Sequence, residues 1–233
     1  MEDNKQKLFD SHRQDCWFKN SCTVDSSKCA ACVRFHEMKY LLNESGIPPA
    51  QQIPAILQPA DMDVPAFERL NEIKENIKKY VENGNNLYIT SNNTGNGKTS
   101  WAIKILLRYF NDVWSGNGFR VRGLFIHVPT FLVKLKNFNN PMPEEYLENV
   151  RNADLVIWDD IACSGLTNWE YTQLLSFIDY RIFSGKSNIY TSNVASEEKL
   201  SEAVGSRLGS RIYANSEVIE LLGSDWRGMF DDK

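Results

Sequence analysis

Leu87-Tyr-Ile-Thr-Ser-Asn-Asn-Thr-Gly-Asn-Gly-Lys-Thr-Ser-Trp-Ala-Ile-Lys-Ile-Leu-Leu-Arg-Tyr-Phe-Asn111 is the stretch whose reading decides the fold. Leu87 to Thr90 is a short β-prone run. A polar, glycine-containing turn follows, and then Trp101, Ile103, Ile105, Leu106 and Phe110 recur with the spacing of a helix packed on a sheet. Strand, tight turn and helix give Gly97-Lys98-Thr99 the context of a phosphate loop. The loop runs from Asn93 through Thr94, Gly95, Asn96 and Gly97 to Lys98, Thr99 and Ser100. Its backbone N–H groups converge at a helix N-terminus, where the helix dipole favours an anion. Lys98 is placed to reach the β- and γ-phosphates of ATP, and the Thr99 hydroxyl to ligate Mg²⁺. The full pattern has a glycine five residues before Gly97, where this chain has Asn92. Asn tolerates a left-handed backbone better than most residues, so the same turn is expected.

The partner motif lies some sixty residues on. In Asp154-Leu-Val-Ile-Trp-Asp159-Asp160, four apolar residues make a strand buried on both faces, with two carboxylates at its C-terminal end. Ligands sit at that end of parallel strands. Asp159 is expected to hold Mg²⁺, largely through water, and Asp160 to polarise the attacking water. Lys186 to Asn193 reads as another buried strand. Asn193 at its tip is placed either against the γ-phosphate and water or as the cap of a helix from Ser196 onward. Arg207 and Arg211 lie four apart, hence on one helical face. Each reads equally as a surface ion pair or as an arginine supplied to a neighbouring subunit's phosphoryl group.

The remaining elements frame these motifs. Helices are expected over Val33 to Asn43, about Ala66 to Glu82, Phe131 to Phe138, Glu144 to Asn152 and Asn168 to Ser184. Further strands are expected over Val121 to Val128 and Glu217 to Leu221. The proline-rich approach over 47–64 carries few periodic apolar positions, and Gly46-Ile-Pro-Pro49 marks a domain boundary. Lys134, Lys136 and Phe138 read first as a solvated helix face, with a small single-stranded DNA contact as the functional alternative.

Four of five cysteines, Cys16, Cys22, Cys29 and Cys32, fall within seventeen residues, flanked by His12 and His36. In a cytosolic chain such a cluster points to a structural zinc site, and Cys29-Ala-Ala-Cys32 has the two-residue spacing of a zinc knuckle. Either histidine is able to replace one cysteine. A small domain over 1–45, held together by the metal, would then precede an ATPase domain over 46–233.

Composition limits the alternatives. The 233 residues are 42% hydrophobic and 24% charged, which is the balance of a globular protein. No apolar run approaches the roughly 20 residues that span a bilayer, and the first residues lack a secretory pattern, so a cytoplasmic protein without membrane partner is expected. The net charge of −4 argues against a protein held on duplex DNA by its own charge; nucleic-acid contact should be local and weak.

Taken in order, Thr94-Gly-Asn-Gly-Lys-Thr99, Leu155-Val-Ile-Trp-Asp-Asp-Ile161, Tyr190-Thr-Ser-Asn193, Ser206-Arg-Leu-Gly-Ser-Arg-Ile212 and Asp225-Trp-Arg227 resemble the AAA+ ATPases of the DnaC/DnaI helicase-loader group, phage versions included. The resemblance covers about residues 46–233, and the cysteine-rich segment is similar to the zinc-binding, helicase-contacting N-terminal domain of DnaI-type loaders. It implies a three-layer α/β P-loop domain with a parallel sheet, delivering a hexameric replicative helicase to single-stranded DNA at replication initiation. It also implies self-association in the ATP state. On this resemblance Asn193 is the first sensor, Arg211 the trans-acting arginine finger with Arg207 as competitor, and Arg227 the late, nucleotide-side arginine. The helix 130–138 lies where the family places its single-strand-contacting element. Asp160 stands where many AAA+ enzymes have Glu, which implies slow Mg²⁺-dependent ATP hydrolysis. The 22 residues after Arg211 are too few for the usual helical lid, so no C-terminal lid is expected. Two rival readings share the motifs: an IstB-type transposase-helper ATPase, and an adaptor that binds nucleotide without cleaving it.

Overall fold

A computed structural model describes residue 16 and residues 19–20, 22–52, 57–137, 139–162 and 165–223. The helices are α1 (Val33–Glu44), α2 (Val64–Glu75), α3 (Ile77–Glu82), α4 (Lys98–Val113), α5 (Val128–Leu135), α6 (Glu144–Asn152), α7 (Asn168–Phe183), α8 (Glu197–Val204) and α9 (Ser206–Ala214). The strands are β1 (Asn86–Thr90), β2 (Gly123–His127), β3 (Leu155–Asp159), β4 (Ser187–Ser192) and β5 (Ser216–Glu220). They form one sheet in the order β2-β3-β4-β1-β5, every pair parallel.

Alternation along the strands divides the core in two. Leu87, Ile89, Phe125, Leu155, Ile157 and Ile189 face one side, where they pack with α1, α2, α3 and α4. Tyr88, Leu124, Ile126, Val156, Trp158 and Tyr190 face the other and meet apolar residues of α5 to α9. Sheet and two helical layers give the expected three-layer parallel α/β arrangement. The central strands are buried along their whole length, which is why their sequences are nearly unbroken apolar runs. Helix α4 lies close on the sheet because Gly123 has no side chain. A Cβ there would fall 2.5 Å from Leu106 Cδ1 and 2.9 Å from Phe110 Cε1.

The single helix expected over Ala66 to Glu82 is two. Asn76, with φ −108° and ψ 19°, separates α2 from α3, and its side-chain amide donates to the Glu72 carbonyl at 2.9 Å. An Asn competing for the helix's own acceptor breaks the helix there. The apolar face continues across the break through Phe67, Leu70, Ile73, Ile77 and Val81, so periodicity gave no sign of it. Helix α1 buries Met38, Leu41 and Leu42 in the same core as α4 and the sheet.

Arg181 locks the far side. It is fully buried, and its guanidinium donates to the carbonyls of Val150, Arg151, Ala153 and Ser187 and to Asn188 Oδ1, at 2.6–3.2 Å. Burial lowers its pKa to about 9. Asn188 Oδ1 also accepts from Trp158 Nε1 at 3.0 Å, so one hub joins α6, α7, β3 and β4.

Candidate nucleotide site

At the C-terminal ends of the central strands lies a cleft of about 780 Å³. It is lined by Thr94 to Ser100 of the loop after β1, by Asp159 and Asp160 at the tip of β3, and by Thr191, Ser192 and Asn193 at the tip of β4. His127 ends β2, in register with Asp159, and closes one side. Gln51, Leu57, Gln58 and Phe67 close the other. Parallel strand order puts the tips of β3, β4 and β1 on one edge here, so motifs sixty residues apart in sequence share one cleft.

Gly97 starts α4 as a left-handed N-cap at φ +94°, and Gly95 is also left-handed at φ +71°. Asn92 is not: among the described non-glycine residues only Phe119 and Asp160 have positive φ. The expectation that Asn92 supplies the missing glycine's backbone is therefore corrected. Its amide instead donates to Glu220 Oε1 of β5 at 3.2 Å. Asn93 donates to the Leu222 and Gly223 carbonyls at 3.2 and 3.1 Å, and Asn96 to the Leu221 carbonyl at 3.2 Å and to Ser91 Oγ. These loop asparagines tie the turn to the end of the neighbouring strand. The Lys98 ammonium, buried in the loop, meets the Asn93 carbonyl at 2.7 Å and Asn96 Oδ1 at 3.1 Å.

Thr99 Oγ1 donates to Asp159 Oδ1 at 2.7 Å, and Thr191 Oγ1 donates to the same oxygen at 2.7 Å. Burial pushes the Asp159 carboxyl above its ordinary pKa; both hydroxyls, and His127 beside it, pull the other way. Asp160 adopts φ +57°, and its N–H donates to Thr191 Oγ1 at 3.0 Å. Asp tolerates that backbone better than most side chains, and the kink carries Asp160 out of the strand into the cleft. The cap of α8 is Ser196, whose Oγ accepts from the Lys199 N–H at 3.3 Å, so Asn193 remains a cleft-lining residue.

The donor set fits a magnesium-bound triphosphate. A hydroxyl and a carboxylate stand 2.7 Å apart above a loop with an ammonium and a helix N-terminus, in a cleft of suitable volume. The four clustered cysteines do not fit zinc as arranged. Cys29 sits in a 3₁₀ turn, Ser26–Ala31, and Cys32 caps α1. His36 Nε2 lies 2.8 Å from the Ala30 carbonyl. Among the described residues no three His, Cys, Asp or Glu side chains gather as metal ligands, so the zinc site expected on Cys16, Cys22, Cys29 and Cys32 is not assembled. His12 lies outside the described residues.

Arg207 and Arg211, on α9, do not line the cleft. Both reach Asp179 of α7, at 3.2 Å each, and Arg211 also lies over the Phe183 ring, 5.1 Å from its centre. Arg227 and Phe138 lie outside the described residues. Lys134 is exposed, and Lys136 approaches Glu170 at 3.9 Å. Sequence reasoning missed His127, Thr191 and the wall formed by Gln51, Leu57, Gln58 and Phe67. The first two were findable as residues at the C-terminal ends of parallel strands; the wall depends on how the approach segment folds back.

Strand order, phosphate-loop turn and acidic strand tip give a three-layer parallel α/β fold of the P-loop class. Within that class the chain is similar to the crystal structure of the DnaC helicase loader, with a TM-score of 0.61 and 20% identity over 78% of this chain and 99% of that one. It is similar to DnaI to the same degree, covering 95% of that chain. It also resembles the replication initiator DnaA bound to AMPPCP and single-stranded DNA, with a TM-score of 0.57 and 18% identity, over 75% of this chain and 50% of that one. No family model and no curated protein matches the sequence. Among the described residues no helix is long and apolar enough to cross a membrane.

Proposed function

We propose that this chain is a cytoplasmic, ATP-dependent loader that binds a hexameric replicative helicase and delivers it to single-stranded DNA when replication begins. The observation that carries the reading is the pair of hydroxyls, Thr99 and Thr191, converging on Asp159 beside the Lys98 loop. Likeness of fold to the DnaC and DnaI loaders supports it. Magnesium would supply charge neutralisation between the phosphates, held by Thr99 and, through water, by Asp159. Lys98 turns from its loop oxygens to the β- and γ-phosphates, where the α4 N-terminus adds favourable potential. Asp160 orients and polarises the attacking water, and Asn193 hydrogen-bonds that water or the γ-phosphate. Arg211, with Arg207 as the competing candidate, completes a neighbouring protomer's site in the ATP state. Arg227 contributes from the nucleotide side.

Residues 1–45 make the helicase grip. The surface used lies away from the buried face of α1, which belongs to the ATPase core. The α5 segment supplies a weak single-strand contact through exposed Lys134. One observation favours a second reading, a switch that binds ATP without cleaving it. Asp160 is shorter than the usual Glu and rests on a left-handed backbone. The primary test is calorimetric titration with Mg–ATP, followed by pull-down of a replicative helicase with and without nucleotide. Saturable heat is expected, with helicase capture through residues 1–45 retained in either nucleotide state; absence of binding heat ends both readings.

A further inference from the structure

The proposed trans-acting role leaves open which arginine is presented and what aims it; the contacts around Asp179 bear on both. Asp179 on α7 is largely buried and has two guanidinium partners on α9, one for each oxygen. Arg207 spends a terminal nitrogen, its Nη2 donating to Oδ2 at 3.2 Å, and the rest of the side chain is 63% exposed. Arg211 meets Oδ1 through Nε, also at 3.2 Å, an ion pair outside hydrogen-bond geometry. The difference matters chemically. A guanidinium paired at Nε keeps all four N–H groups of its two terminal nitrogens for a two-point grip on phosphate, whereas one hydrogen-bonded through Nη2 has spent one of them.

A second contact limits the same group. The Arg211 guanidinium lies over the ring of Phe183, one helical turn beyond Asp179 on α7. Phe183 is 72% exposed, so it adds almost nothing to the core. A large aromatic left in water under a cation is well suited to steering that cation. The backbone beneath is stiff, because α9 sits tightly on α8. A Cβ on Gly209 would fall 2.6 Å from Ser201 Oγ and 2.7 Å from its Cα.

We infer that Asp179 and Phe183 are positioning residues that aim Arg211, rather than Arg207, at the nucleotide of a second copy of this chain. The inference rests on the reading of the cleft as an ATPase completed in trans. It goes beyond that reading by choosing between the arginines and naming what orients the chosen one.

The test is steady-state phosphate release by full-length protein. Asp179→Ala is expected to lower kcat about tenfold with KM for ATP unchanged, since a misaimed group costs rate rather than ground-state binding. Asp179→Glu, which keeps the carboxylate charge, should recover part of that loss. Phe183→Ala, at an exposed position that leaves folding intact, should lower kcat about threefold. The discriminating arm is mixing. Lys98→Ala chains, unable to use ATP themselves but carrying an intact Asp179–Arg211 pair, should restore turnover to Asp179→Ala chains. Lys98→Ala chains that also carry Arg211→Ala should not. Loss with Arg211→Ala but wild-type kcat with both Asp179→Ala and Phe183→Ala overturns the positioning inference. An unrescued Asp179→Ala defect also overturns it, since it marks a merely structural staple between α7 and α9. Wild-type turnover by Arg211→Ala would instead overturn the reading in trans beneath it.

Discussion

The Lys98 ammonium rests 2.7 Å from the carbonyl oxygen of Asn93, five residues earlier in the same loop. A cation already satisfied by loop oxygens must exchange them for phosphate oxygens, and a charged-to-charged contact favours the exchange. Lys98→Ala should weaken Mg–ATP binding about 100-fold or more, measured by calorimetry. Helicase capture through residues 1–45 should persist in pull-down, and simultaneous loss of both would contradict the two-part design.

Asp160→Asn separates cleavage from binding. Asn accepts the left-handed backbone as readily as Asp, so the kink at φ +57° should survive the change. Phosphate release should fall about 100-fold while nucleotide affinity stays within a few-fold. Equal, near-zero release by wild type and variant would establish the non-hydrolysing switch.

Asp154 gives a pH-dependent stability signal at the opposite end of the sheet. Burial raises its carboxyl pKa, but Arg122, Arg120 and Lys186 outweigh it and hold the pKa below its ordinary value. Their nitrogens lie 2.5, 3.1 and 3.2 Å from its oxygens. A lowered carboxylate pKa stabilises the fold above the unfolded value, about 4, and that contribution is lost as pH falls through the folded value. Asp154→Asn should therefore cost about 2 kcal/mol at pH 7, and the difference should shrink towards zero below about pH 3. Denaturant melts of both proteins across that range provide the check. A deficit independent of pH would mean the side chain acts through packing alone.

Arg181→Met should destabilise the protein by about 3–5 kcal/mol, because buried carbonyl acceptors lose their donors together. Arg181→Lys should recover little, since an ammonium cannot reproduce the planar fork that spans Val150, Ala153 and Ser187. Thermal unfolding measures both.

The elements that sequence made legible are those in which local pattern and tertiary role coincide. Gly97-Lys98-Thr99 is bracketed by a short β-prone apolar run and one of period 3.6, and Leu155 to Asp159 is apolar up to its acidic tip. Both lie at the C-terminal ends of parallel strands, and the β2-β3-β4-β1-β5 order, with β4 between them, brings Thr99 within reach of Asp159. What stayed hidden depends on partners distant in sequence. The anchoring of Asn92, Asn93 and Asn96 requires β5 to lie beside β1, and no local rule places it there. Thr191 looked like a strand residue because its second role, donating to Asp159, is set by the β3–β4 pairing. The break at Asn76 was masked by an apolar stripe that continues past it. Among the described residues the clustered cysteines do not gather as metal ligands, and their spacing alone does not fix where they meet.

The Arg181 hub has a mechanical corollary for the cleft. The strands bearing Asp159 and Thr191 are riveted to α6 and α7 through the Arg181 guanidinium and Asn188, whereas the facing loop is moored by side-chain amides that a ligand is able to exchange one at a time. Adjustment on nucleotide entry therefore falls on the loop and on the strand end to which it is moored, and the acidic wall serves as the fixed jaw of a vice.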